Sequence, residues 1–395
     1  MANRESLLPP LQIGDRVARV PIIQGGMGVG VSLSGLASAV ARAGGIGVIA
    51  GAGLGLVVSP KGERFAENNL IVLRDEVQKA REMAPGGLIG VNLMVALTDY
   101  AEMCRTASEA GVDFIFSGAG LPLALPHFVE NPSVKLVPIV SSGRAAGLIS
   151  SAWKKKYSRI PDAFVVEGPK AGGHLGFSRL QLQTMELYPI EQLLTDTLEA
   201  VRPYEEAAGR PIPVVAGGGV FDGADIARMI RLGASGVQMA TRFVCTDECD
   251  ADPAFKQAFL SAKPEDVIFV NSPVGMPGRA IRNVFLNRLE QGEKVHTTAC
   301  PYHCLKTCDP ETKPYCIAIA LNQARLGNLD QGLIFAGANV TKVTSIVPVA
   351  ELMQELVTEA EEALRDQGAE GIQGTEGAQE TEGTEGKSFS TQAVG

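Results

Sequence analysis

Between residues 21 and 240 the chain repeats one pattern: a short run of apolar residues, a stop at glycine or a small polar residue, then apolar positions at helical intervals. The first copy, Pro21-Ile22-Ile23-Gln24-Gly25-Gly26-Met27-Gly28, reads as a short strand ending in glycines. Residues 33–42 then carry an apolar helical stripe closed by Gly44-Gly45. Further strand-like runs occupy 46–50, 88–93, 113–117, 136–140, 163–167, 212–216 and 236–240, which makes eight with the first, and residues 68–83 form an amphipathic helix between two of them. Runs that are apolar throughout, rather than alternating, suit strands buried on both faces, as in a parallel sheet covered by helices. Eight strand-helix alternations predict an α/β fold, a TIM (β/α)8 barrel. A doubly wound open sheet is the alternative, since such a count can be off by one or two.

A barrel gathers the residues that follow its strands at one mouth. Gly25-Gly26-Met27, Asn92, Ser117-Gly118, Gly172-Gly173-His174, Gly217-Gly218-Gly219 and Ala240-Thr241 all fall at such positions. After residue 242 the rhythm stops. Residues 1–244 and 326–365 are assigned to the barrel, 334–338 and a helix at 348–365 returning to it, and 245–325 to a smaller cysteine-containing lid or substrate domain after strand 8. Residues 366–395, a low-complexity run of Gln-Gly, Glu-Gly and Thr-Glu-Gly steps, are expected to be a disordered tail because they offer almost no apolar surface to bury.

The stretch with the most chemistry is Glu167-Gly168-Pro169-Lys170-Ala171-Gly172-Gly173-His174-Leu175-Gly176. A buried strand that opens into so many glycines lets backbone approach a ligand closely. His174 is one of only four histidines, and an imidazole there can exchange protons near neutral pH. A plain glycine turn with a solvent-facing histidine is the competing reading. Gly217-Gly218-Gly219 and Ala240-Thr241 follow the last two strands, where such barrels hold phosphate, and a helix starting near Asp222 would add its N-terminus.

Composition narrows the classes. With 395 residues, 45% of them hydrophobic, and a net charge of −9 without any long basic block, the chain is a poor nucleic-acid partner. No apolar stretch is long enough to span a bilayer, and residues 1–5 lack a signal core, so a cytoplasmic, non-membrane protein is expected. Seven cysteines do not make a disulfide scaffold, but Cys300-x3-Cys304-x3-Cys308-x7-Cys316, with Cys245 and Cys249 upstream, is conspicuous. Four thiols in so short a segment could ligate an iron–sulfur cluster or zinc. The x3 spacing matches neither the usual ferredoxin nor the zinc-finger pattern, so the working expectation is reduced structural or redox-active cysteines and no metal.

Taken together, Gln24-Gly25-Gly26-Met27, Gly90-Val91-Asn92, Glu167-Gly168 with Ala171-Gly172-Gly173-His174, Ala216-Gly217-Gly218-Gly219 and Gln238-Met239-Ala240-Thr241-Arg242-Phe243 resemble the signatures of the FMN-dependent nitronate monooxygenases and the related flavin-dependent enoyl-ACP reductases. The resemblance runs over about residues 21–365 and implies FMN as cofactor. It places the phosphate on Gly217, Gly218, Gly219, Ala240 and Thr241, and the ring and ribityl chain against Gly25, Gly26, Met27, Asn92, Gly172 and Gly173. His174 matches the family's catalytic histidine. The substrate implied is a small molecule. In one branch it is an alkyl nitronate, oxidised with O2 to a carbonyl compound and nitrite. In the other, NAD(P)H reduces the flavin for an enoyl thioester or a quinone. The first branch is preferred. A non-catalytic flavin-binding module would not need the histidine, and a homodimer is left open.

Overall fold

A computed structural model describes residues 6–59, 61–295 and 300–373, with side chains to residue 366. Its centre is a closed barrel of eight parallel strands: β1 (Ile22–Gln24), β2 (Ile46–Ala50), β3 (Leu88–Met94), β4 (Phe114–Gly118), β5 (Lys135–Val140), β6 (Phe164–Glu167), β7 (Val214–Gly217) and β8 (Gly236–Met239). Each pairs with its neighbours in chain order, and β8 closes on β1 through Val237↔Ile22, Ile23↔Gln238 and Met239↔Gln24. Closure excludes the open-sheet alternative. The eight strands match the apolar runs of the sequence, shifted by a residue or two at their ends.

The strands form because both of their faces are covered. Ile23, Ile46, Val48, Phe114, Phe116, Val137, Val165 and Val215 fill the barrel interior, and the other face packs on the helices. Below the first strand the chain makes an antiparallel hairpin of Leu11–Ile13 and Arg16–Ala18. Its Leu11, Ile13 and Ala18 join the interior cluster, so the hairpin stoppers the end of the barrel away from the glycine loops. Strands of three residues leave too little periodicity to be read from sequence.

Beyond the barrel, Val267–Asn271 (β9) and Pro277–Ile281 (β10) form an antiparallel pair, and Ile334–Phe335 (β11) adds to β10. This last strand belongs to the small sheet and not to the barrel, where the sequence had placed it. A fourth short strand, Gly173–His174, pairs with β10 through Gly278↔His174 and Arg279↔Gly173. The loop after β6 is thereby stitched into the small sheet. The C-terminal helix spans Val349–Gln373, past the boundary expected at residue 366, and the rest of the expected disordered tail, 374–395, lies outside the described residues.

Candidate active site

The loops after the barrel strands enclose a cavity of about 260 Å³ between the barrel mouth and the small sheet. Gly25, Gly26, Met27, Asn92, Gly172, Gly173, His174, Gly218, Gly219, Ala240 and Thr241 all line it. Gly217 does not. It is the last residue of β7, buried with Gln238 and Glu167 beside it, and only the next two glycines reach the cavity.

Two of the glycines are there for space. A Cβ on Gly26 would stand 2.5 Å from Cβ of Asn92, so the bare backbone is what allows the Asn92 amide its place at the mouth. Gly218 has φ of +81°, and a Cβ there would lie 2.6 Å from the Gly168 carbonyl oxygen. At this end of the cavity Lys170 stacks its stem over Gly219, Asn339 donates to the Gly219 carbonyl at 2.9 Å, and the Gly337 N–H donates to Thr241 Oγ1 at 3.1 Å.

The expected helix N-terminus is a different matter. Helix Gly223–Arg231 begins with two of its first donors already taken: Asp222 accepts from the Asp225 N–H and Glu359 from the Gly223 N–H, each at 2.9 Å. Asp225 in turn accepts from the Phe221 N–H at 3.0 Å. Three carboxylates surround that terminus, so it cannot serve as the anion grip the sequence suggested.

At the other end, His174 Nε2 shares a hydrogen bond of 2.7 Å with Ser272 Oγ, and the imidazole meets the Phe335 ring edge-on with centroids 5.0 Å apart. Ser272 Oγ also accepts from the Val274 N–H at 3.3 Å. Burial pushes the imidazole down to about 4, because desolvation disfavours its charged form. The same cause acts in reverse on Glu167, the last residue of β6: burial pushes its carboxyl up to about 7, partly offset by the Gln238 amide, which donates to it at 3.2 Å. Burial thus favours the neutral form of both groups on this wall, and the Lys170 side chain lies at the far end. Such a lining accepts anionic ligands without strong repulsion.

Glu167, Lys170, Gln238, Ser272 and Asn339 are the functional positions that sequence reasoning did not select. Arg279, buried and donating to the Ala171 carbonyl oxygen with its guanidinium over the Phe269 ring at 4.8 Å, braces the glycine loop from behind. For Glu167 and Lys170 a signal existed, since both lie in the stretch singled out by its glycines. For Ser272 and Arg279 none did, because their partners are distant in sequence.

A nitronate monooxygenase family model matches residues 15–359. The chain belongs to the nitronate monooxygenase family. With it, the chain is an oxidoreductase of a flavin-dependent group. A Mycobacterium tuberculosis protein, (3aS,4S,5R,7aS)-5-hydroxy-7a-methyl-1-oxo-octahydro-1H-indene-4-carboxyl-CoA dehydrogenase, is 28% identical over 274 residues, which is 69% of this chain and 66% of that one. A probable nitronate monooxygenase of Staphylococcus saprophyticus is 26% identical over 298 residues, 69% of this chain and 78% of that one. Among solved structures, FabK from Thermotoga maritima superposes with a TM-score of 0.67 at 24% identity, covering 91% of this chain and 96% of that one, and so shares the fold. No helix among the described residues is long and apolar enough to cross a membrane.

The cavity fits a flavin on its own terms. Backbone exposed at Gly26, Gly172 and Gly173 allows a flat ring to approach, the Asn92 amide can both donate and accept at its edge, and Lys170 with Gly218, Gly219 and Thr241 offers an anion-compatible end.

Proposed function

We propose that this chain binds FMN, with its phosphate at Gly218, Gly219, Ala240, Thr241 and Lys170, and oxidises alkyl nitronates with molecular oxygen to carbonyl compounds and nitrite. The observation that carries this reading is the His174 imidazole, held by a hydrogen bond to Ser272 on the wall of a backbone-lined cavity. The bound flavin supplies an electron acceptor that oxygen can regenerate. His174 removes the α-proton of a neutral nitroalkane, or donates to the oxygens of a nitronate that arrives already ionised. Ser272 holds the ring at its angle. Asn92 and the glycine backbone would hold the ring edge and supply donors to negative charge there. Phe255, Phe259, Leu321 and Phe335 line the cavity opposite the glycine loops and would set which side groups enter.

Anaerobic mixing tests the reading. Purified protein is combined separately with propionate 3-nitronate, NADH and NADPH while the flavin absorbance is followed. Rapid bleaching by the nitronate alone supports it. Bleaching by NADH or NADPH but not by the nitronate would move the chain to the reductase branch, with an enoyl thioester or quinone as the oxidant.

A further inference from the structure

The cysteine run is not used by the site described above, and the fold gathers it. Cys300, Cys304, Cys308 and Cys316 line one cavity of about 280 Å³, distinct from the glycine-lined one, and all four are unpaired. The segment that brings them together is irregular. It is pinned at its flanks by a bridge between Leu97 and Leu305, by the Thr98 N–H donating to the Cys304 carbonyl at 3.1 Å, and by the Val295 N–H donating to the Pro314 carbonyl at 2.8 Å. His303, at φ of +42°, turns the chain so that Cys300 and Cys304 face the same space despite three intervening residues.

Four thiols make a poor wall for an empty hole. Cys300, Cys304 and Cys316 pack against the apolar group of Val29, Leu56, Phe65, Tyr302 and Ala318, and burial pushes the Cys304 thiol up to about 12. Cys316 is the residue just before helix Ile317–Arg325, and Lys61 and Lys313 line the same cavity, so two basic side chains share it with the four sulfurs.

The size of the hole distinguishes the candidates. A tetrahedral zinc with Zn–S near 2.3 Å holds its sulfurs about 3.8 Å apart. Among the described residues no group of three or more His, Cys, Asp or Glu side chains is placed to hold a metal ion as it stands. A cavity of about 280 Å³ is also several times the roughly 30 Å³ share of one water. A polynuclear centre suits four thiols spread around a cavity of that size, because it keeps its four thiolates apart at its corners with iron and sulfide between them.

We infer that Cys300, Cys304, Cys308 and Cys316 ligate a [4Fe–4S] cluster. This departs from the expectation of metal-free cysteines, which the test below decides. The unusual spacing follows from ligands placed by a turn at His303 and by a helix start at Cys316. The cluster lies next to the flavin cavity: helix Ile317–Arg325 borders the cysteines with Ile317 and Ile319 and the glycine-lined cavity with Leu321. From residue 317 to 321 the helix rises only about 6 Å.

The test uses the full chain, produced and purified without oxygen and with iron and a sulfur source supplied. Iron and acid-labile sulfide should each reach about four per chain, with a paramagnetic signal appearing on dithionite reduction. Cys308→Ser, at a half-buried position, should keep the flavin absorbance and far-UV circular dichroism while iron falls about twofold or more. Cys104→Ala, at a buried cysteine elsewhere, should keep the full complement. One zinc per chain without sulfide would overturn the inference, as would disulfides found by mass, metal-free thiols in folded flavoprotein, or full iron in Cys308→Ser. Flavin is measured in the same samples, so a failed cluster and a failed flavin assignment are told apart.

Discussion

His174 and Ser272 lie 98 residues apart in the chain and share a hydrogen bond of 2.7 Å. The contact joins the loop after the sixth barrel strand to the end of the small sheet. It also reaches further, because the Tyr315 hydroxyl donates to the Asn271 carbonyl at 3.2 Å and lies beside Ser272, and Tyr315 borders the cysteine cavity.

Ser272→Ala should keep flavin and lower kcat about three- to tenfold, the effect of losing one modest hydrogen bond that orients the ring. In a double-mutant cycle with His174→Gln the second substitution should add almost nothing to the first, because Ser272 acts through the imidazole. Additive losses would show that Ser272 touches the substrate independently.

His174→Ala should retain flavin, since the anion end of the cavity is built from other loops. With neutral nitroalkanes turnover should fall roughly 10² to 10⁴-fold, the usual contribution of a positioned proton-transfer group. With pre-ionised nitronate the defect should shrink. Equal, large defects with both would mean positioning rather than proton removal, and unchanged rates with both would remove His174 from the chemistry.

Gly26→Ala should weaken flavin binding by about ten- to a hundredfold, because its Cβ would sit 2.5 Å from Asn92 Cβ and overpacking of this kind costs about 1–3 kcal/mol. Titration of the apoprotein with FMN gives the number directly. An unchanged dissociation constant would place the ring elsewhere.

The pH dependence of apoprotein stability should show two opposed groups. Glu167 has a folded-state value near 7 against an ordinary 4.5, so the carboxyl favours the fold below about pH 4.5 and that contribution is lost as pH rises through 7. Glu167→Gln should therefore gain melting temperature relative to wild type as pH goes from 5 to 8. His174 is displaced down to about 4 from 6.5, so its contribution is present above pH 6.5 and lost as pH falls toward 4. His174→Gln should gain at acid pH. Parallel melting curves across the range would mean that neither group is shifted.

The barrel was legible because its strands have no polar face to confuse the pattern: Ile46–Ala50 is buried at every residue. The small sheet was not, for the opposite reason. Val267–Asn271 is mostly half-exposed, and Pro277–Ile281 opens with Pro277 and Gly278 and buries Arg279, a composition that reads as a loop. The glycine loops announced the mouth of the site, since glycine is selected locally where backbone must come close. Ser272 and Arg279 could not be found the same way. Their partners lie 98 and 108 residues away, and no local pattern marks a side chain whose role is set by the far side of the fold.

The pairing of Gly173–His174 with Pro277–Ile281 has a consequence for redesign. The residue proposed to move the proton is carried on the edge of the small sheet proposed to cover the substrate. Exchanging that sheet for one from a relative, to admit a bulkier nitro compound, would re-aim the imidazole in the same operation. Selectivity and reactivity are mechanically geared here, and a library that varies the cover alone will sample both.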